Sequence, residues 1–155
     1  MATLGDFKHF EIFIFAVDEQ NNIADFIVKF EPNERIFLHR HLALTNTFVV
    51  DGEHIIYEVD GEIREVRPVG RFTSSKPGDA HTEGGGANGC VLQYSVRGET
   101  DALFDVLDDD LQLVVTLRTR DFKATLDAQK HDSPVSSGQR LTSLLDSGHY
   151  SRGLR

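Results

Sequence analysis

Tight-turn signals crowd the middle of the chain and limit what it can fold into. Asp51-Gly52, Asp60-Gly61, Pro68-Val69-Gly70 and Pro77-Gly78 separate short β-branched and aromatic runs at residues 45–50, 55–59, 62–66 and 72–75. Asp-Gly between two such runs is a strong hairpin signal, because glycine accepts the positive φ that the turn needs. Strands this short, with turns this close, predict antiparallel neighbours packed as a barrel or sandwich.

The pattern extends to both sides. Residues 10–17 read as a strand, residues 18–22 as a turn and residues 23–30 as the returning strand. Pro32-Asn33 ends it, since asparagine tolerates the left-handed conformation. Residues 36–41 form the next strand. Residues 84–89 (Gly-Gly-Gly-Ala-Asn-Gly) read as a flexible loop and residues 90–96 as a strand of mixed face. Residues 103–107 and 111–117 enclose the acidic turn Asp108-Asp109-Asp110, a solvated turn with no calcium-loop spacing around it. No βαβ alternation is present, so the fold class is all-β. One short C-terminal helix is expected over residues 120–129, where Phe122, Leu126 and Gln129 recur at near-helical spacing. Residues 1–130 are expected to form one domain, and residues 131–155, rich in Ser and Gly, an arm either flexible or docked on a neighbouring subunit.

A net charge of −9 and the absence of any Lys/Arg-rich run argue against nucleic acid and anionic membranes as partners. The longest apolar run, residues 12–17, is far short of a membrane span. One cysteine, Cys90, excludes an intrachain disulfide framework and reads as a core residue. A cytoplasmic location and a small-molecule substrate are the expectation. The Phe-rich segment 10–15 would be an exposed liability on an edge, so a homodimer or homotetramer is expected.

The chemistry concentrates at His39-Arg40-His41 and at Lys76-Pro77-Gly78-Asp79-Ala80-His81. In a strand, residues two apart share a face about 6.5–7 Å apart, so two imidazoles can converge on one cation. Taken alone, His39 and His41 read as strand histidines satisfied by hydrogen bonds. His81, delivered by its turn, changes the reading to a three-histidine ligand set. His9, His54, His131 and His149 lack partner spacing and read as surface or turn residues. Glu83 reads first as a solvated loop carboxylate and second as a base or spare ligand beside the metal. Thr45 and Thr47 face inward if strand parity holds, and with Phe37 and Asn46 they are the expected substrate pocket. Arg35 has two readings, an anchor for an anionic substrate or an exposed strand-end residue.

Asn33-x5-His39-x-His41-x3-Thr45-x6-Gly52 resembles the first cupin motif, G-x5-H-x-H-x3/4-E-x6-G. Gly70-x6-Pro77-Gly78-x2-His81 is similar to the second, G-x5-P-x-G-x2-H-x3-N. The chain departs where Asn33 replaces the opening Gly, where Pro77 sits one position nearer its Gly, and where Gly85 occupies the closing Asn slot. The Glu slot holds Thr45, or Asn46 with the longer spacer, so the usual fourth protein ligand is expected to be missing. A three-histidine site without that Glu resembles acetylacetone-cleaving and 2,4'-dihydroxyacetophenone dioxygenases and the cupin domains of ChrR-type anti-sigma factors. Residues 97–109, a Gly with an apolar strand and an acidic turn after it, look similar to the segment C-terminal to the barrels of those dioxygenases.

The resemblance implies a jelly-roll barrel and one divalent ion per chain on His39, His41 and His81, with Fe(II) favoured and Zn(II) or Ni(II) as alternatives. Three neutral imidazoles would leave the ion its full charge and an open position, which suits an anionic bidentate ligand. The implied activity is dioxygenase cleavage of a C–C bond in a small β-diketone or hydroxyketone. The alternatives are a non-catalytic metal-binding or sensory cupin and a metal-dependent isomerase or hydrolase.

Overall fold

The computed structural model describes residues 7–131. Among these described residues, nine strands and one helix occur in this order: β1 (Phe10–Asp18), β2 (Ile23–Phe30), β3 (His39–His41), β4 (Leu44–Tyr57), β5 (Ile63–Pro68), β6 (Phe72–Ser75), β7 (Thr82–Arg97), β8 (Ala102–Leu107), β9 (Leu113–Arg118) and α1 (Thr119–His131). A six-stranded sheet runs β1-β2-β7-β4-β5, with β6 also paired to β4, and a three-stranded sheet runs β3-β8-β9. Every strand pair is antiparallel. The two sheets share one core, in which Phe26, Val28, Leu92 and Tyr94 of the larger sheet join Leu103, Phe104 and Leu117 of the smaller. The all-β jelly-roll expectation is met, as two packed sheets rather than one continuous hydrogen-bonded ring.

The expected closing helix forms, and Phe122, Leu126 and Gln129 are all buried on its inner face. Gln129 does more than pack. Its amide oxygen accepts from Ile14 N at 2.6 Å and its amide nitrogen donates to Ile14 O at 3.0 Å, so α1 satisfies backbone on the edge strand β1. The expected arm of residues 131–155 lies outside the described residues, apart from His131 at the end of α1.

Three local expectations need correction. Residues 36–41 are strand only at His39–His41. Asp51-Gly52 is not a hairpin turn: β4 runs straight through it, and the pairing with β7 shifts register on either side. Gly52, at φ +73°, sits in a bulge. Residues 84–89 are not a loose loop but part of β7, wedged between neighbouring backbones. A Cβ on Gly84 would lie 1.9 Å from the Glu34 carbonyl oxygen, and one on Gly52 would lie 2.2 Å from that of Gly89. Glycine is required here by close approach rather than by flexibility. Asp60-Gly61 does make the expected hairpin, with Gly61 at φ +91°, and Asn33 adopts the left-handed conformation at φ +59°.

Candidate metal centre

The site is built on the seam between the two sheets. His39 N donates to His81 O and His81 N donates to His39 O, both at 3.0 Å, so one mutual backbone pair ties β3 to the start of β7. The Pro77-Gly78 turn is fastened to the same strand, with Gly78 N donating to His41 O at 3.3 Å. β3 thus presents His39 and His41 from one sheet, while His81 and Glu83 come from the other.

Donor atoms of His39, His41, His81 and Glu83 all lie within 4.8 Å of one another, and all four residues are buried. His39 Nε2 and His41 Nε2 are 3.3 Å apart. Glu83 Oε2 is 3.5 Å from His81 Nε2 and 3.9 Å from His39 Nε2. Donors about 2.1 Å from a shared tetrahedral ion would be roughly 3.4 Å apart, so the cluster is close to coordination geometry. The ring orientations are fixed as well. His39 Nδ1 donates to the Phe37 carbonyl at 3.0 Å and His81 Nδ1 to that of Asp79 at 3.2 Å, which turns each Nε2 toward the cluster.

Electrostatics favour neutral imidazole donors. Burial lowers the His39 pKa to about 4, against the opposing pull of Glu83, and burial with the adjacent His39 lowers His41 to about 3. Burial works to raise the Glu83 carboxyl, and the facing imidazoles of His54 and His81 hold it well below the usual carboxylate range. Glu83 Oε1 accepts a short hydrogen bond from the Tyr94 hydroxyl. Burial, and then Glu83 itself, push the Tyr94 pKa well above its ordinary value, so this phenol keeps its proton. Three imidazole nitrogens and one carboxylate oxygen fit a divalent transition metal.

Glu83 therefore corrects two expectations. It is not a solvated loop carboxylate but a buried residue on β7, and the set is not short of a carboxylate. His54 is corrected too: it is not a surface residue but 1% exposed, stacked on Phe30, with Nε2 3.5 Å from Glu83 Oε2. Tyr94 had no signal of its own in the sequence.

Two cavities flank the cluster. An apolar one of about 50 Å³ is bounded by Phe37, Phe26, Phe104 and Phe122, with His39 and Glu83 in its wall. A polar one of about 110 Å³ is bounded by His41, His54, His81, Glu83, Thr45 and Thr47, with Arg64, Arg67 and Lys76 among its other walls. Phe37 thus falls on the apolar side and the two threonines on the polar side. Asn46 alternates with them on β4 and faces the other side of the sheet. Arg35 is not brought to the ligand cluster; it is exposed and lies over the Tyr57 ring at 4.7 Å. Cys90 is buried and free, as expected of a core residue.

No protein-family model matches the sequence, and no curated protein matches it. Solved structures do match in fold. A protein of unknown function with a cupin-like fold from Ralstonia eutropha superposes with a TM-score of 0.70 at 15% identity, over 86% of this chain and 81% of its own. An RmlC-like cupin from the same organism gives 0.66 at 14%, over 84% and 82%. An acetylacetone dioxygenase from Acinetobacter johnsonii gives 0.63 at 8% identity, over 83% and 89%. The fold is that of the cupins. Within it, the buried His39-His41-His81-Glu83 cluster is a candidate metal site.

Proposed function

We propose that the protein is a metal-dependent oxygenase that cleaves a C–C bond of a small β-diketone or hydroxyketone chelated as its anion, with Fe(II) as the ion. The observation that carries this reading is the convergence of three buried imidazoles and one buried carboxylate beside two cavities. The similarity in fold to an acetylacetone dioxygenase supports it. When bound, a redox-active divalent ion would supply Lewis acidity and a centre at which a substrate anion and O2 meet.

The protein's own residues supply the rest. His39 and His81 are oriented by the carbonyls of Phe37 and Asp79, so neither ring needs to turn on loading. Glu83 brings one negative charge, and its sum with a divalent ion is +1, which still favours a monoanionic chelate over a neutral one. Tyr94 holds its proton on Oη and aims it at Glu83 Oε1, which leaves Oε2 to the cluster. The phenylalanines of the apolar cavity exclude water from one side.

Elemental analysis of the purified protein, with oxygen-electrode assays of Fe(II)-loaded protein on β-diketones and aryl hydroxyketones, tests the reading. Stoichiometric metal and substrate-dependent oxygen uptake are expected. Stoichiometric metal with no uptake on either class would make it a binding cupin. Protein that takes up no iron, zinc or nickel under anaerobic loading would remove both readings.

A further inference from the structure

Arg67 is a buried cation with an unexplained donor. On β5 it stands directly opposite His54 of β4, so the two side chains share the face that looks toward Glu83. Arg67 is 9% exposed, and one of its guanidinium nitrogens donates to Glu65 Oε2 at 2.9 Å. Its Nε is buried without a hydrogen-bond partner, and so is Nδ1 of His54, whose Nε2 faces Glu83 Oε2 at 3.5 Å. Buried donors left unmade are costly and rare in native folds, so unpartnered groups gathered in one cavity wall mark a place where a ligand belongs.

The charges around the polar cavity indicate which ligand. Arg64, Arg67 and Lys76 face Asp79 and Glu83. Arg64 is also paired with Glu58 at 2.7 Å, while Lys76 has no ion pair among the described residues. With Glu58 and Glu65, the partners of Arg64 and Arg67, counted, three cations stand against four anions, and a divalent ion at the cluster would bring the sum to +1. The volume, about 110 Å³, is room for roughly four waters at ~30 Å³ each, or one carboxylate and a short carbon stem.

We propose that the substrate of this site carries a carboxylate in addition to its chelating oxygens, and that Arg67 receives that carboxylate in the polar cavity, opposite the apolar one. The inference rests on the metal-site reading above and names the substrate class for it. Arg67 Nε–H is the donor left for it, and the apolar cavity takes the uncharged end. The role of Arg67 is to set specificity.

The test is calorimetric titration of the full-length Zn(II)-loaded protein with 2,4-dioxopentanoate, its methyl ester and acetylacetone. Wild type is expected to bind the carboxylate at least tenfold more tightly than either uncharged compound. Arg67→Gln is expected to bring the ratio to about one, and Arg67→Lys, which keeps the charge without Nε, to fall between. Equal wild-type affinities for the acid and its ester overturn the inference without needing any variant to fold. A ratio that survives Arg67→Gln overturns the assignment to Arg67. Metal content, measured first, separates the two failures: loaded protein with no preference defeats this inference alone, and protein without zinc defeats the reading beneath it and this inference together.

Discussion

Glu83 is held from two sides, by the Tyr94 hydroxyl on Oε1 and by the imidazoles of His54 and His81 around Oε2. Removing the phenol oxygen would leave a buried carboxylate oxygen without its donor. Tyr94→Phe is therefore expected to lower stability by about 1–3 kcal/mol in urea unfolding and to weaken metal binding as Glu83 loosens. Replacing His39, His41 or His81 by Ala should lower metal occupancy steeply in elemental analysis, whereas His9→Ala should not. The imidazoles also set a pH dependence for metal-free protein. Their folded pKa values, about 4 for His39 and about 3 for His41, lie below the ordinary 6.5, so between those limits the unfolded chain binds more protons. Their contribution to stability is complete above pH 6.5 and is lost as the pH falls toward 3–4, and Glu83, also held low, loses its own below its ordinary 4.5. A melting temperature of chelator-treated protein that stays flat from pH 7 to 4 would contradict this. The three histidines were legible because their i, i+2 spacing and the Pro-Gly turn survive in sequence. Glu83 was hidden by the glycines just after it, which read as a loop and so as solvent.

At the scale of the element, one bulge explains why His54 was hidden. The buried residues of β4 fall at Thr45, Thr47, Val49 and Asp51, then at His54 and Ile56. The inward parity moves from odd to even across Gly52, as an added residue in a strand requires. A turn at Asp51-Gly52 would break the strand at the point where parity carries His54 to the core. Turn dipeptides do not distinguish a hairpin from a bulge, because both ask for the same positive φ. The glycines of β7 give a sharp test. Gly84→Ala would set a methyl against the Glu34 carbonyl and is expected to cost about 1–3 kcal/mol or more, while Gly78→Ala, whose nearest neighbour is 3.6 Å away, should be close to neutral. Thermal unfolding of the two variants side by side measures the difference. α1 was legible for the opposite reason: Phe122, Leu126 and Gln129 fall on one helical face with nothing to interrupt them.

For the whole molecule, the fold class came from turn spacing, while the pairing of distant strands did not. β4 and β7 run side by side along most of their length, yet nothing local in either names the other. Assembly is the other property that no local pattern fixes. The β1 edge that suggested an oligomer is satisfied at Ile14 by Gln129. The outer face of β4 and β6 instead sets Phe48 opposite Phe72, with Phe72 60% exposed. A homodimer or homotetramer through that face is the expected outcome, with Phe72→Glu shifting it toward monomer. Light scattering that returns 17.4 kDa for wild type at micromolar concentration would count against it. The seam at His39 and His81 has a consequence for how the molecule comes apart. Because two donors sit on one sheet and two on the other, an ion held there would act as a clasp, and parting the sheets and releasing it would be one event. At a free-metal concentration about a hundred times Kd the clasp would add ~2.7 kcal/mol. The His39 and His81 amides, each locked to the other's carbonyl, would then report it directly: their hydrogen–deuterium exchange should slow on loading and recover when a chelator strips the ion.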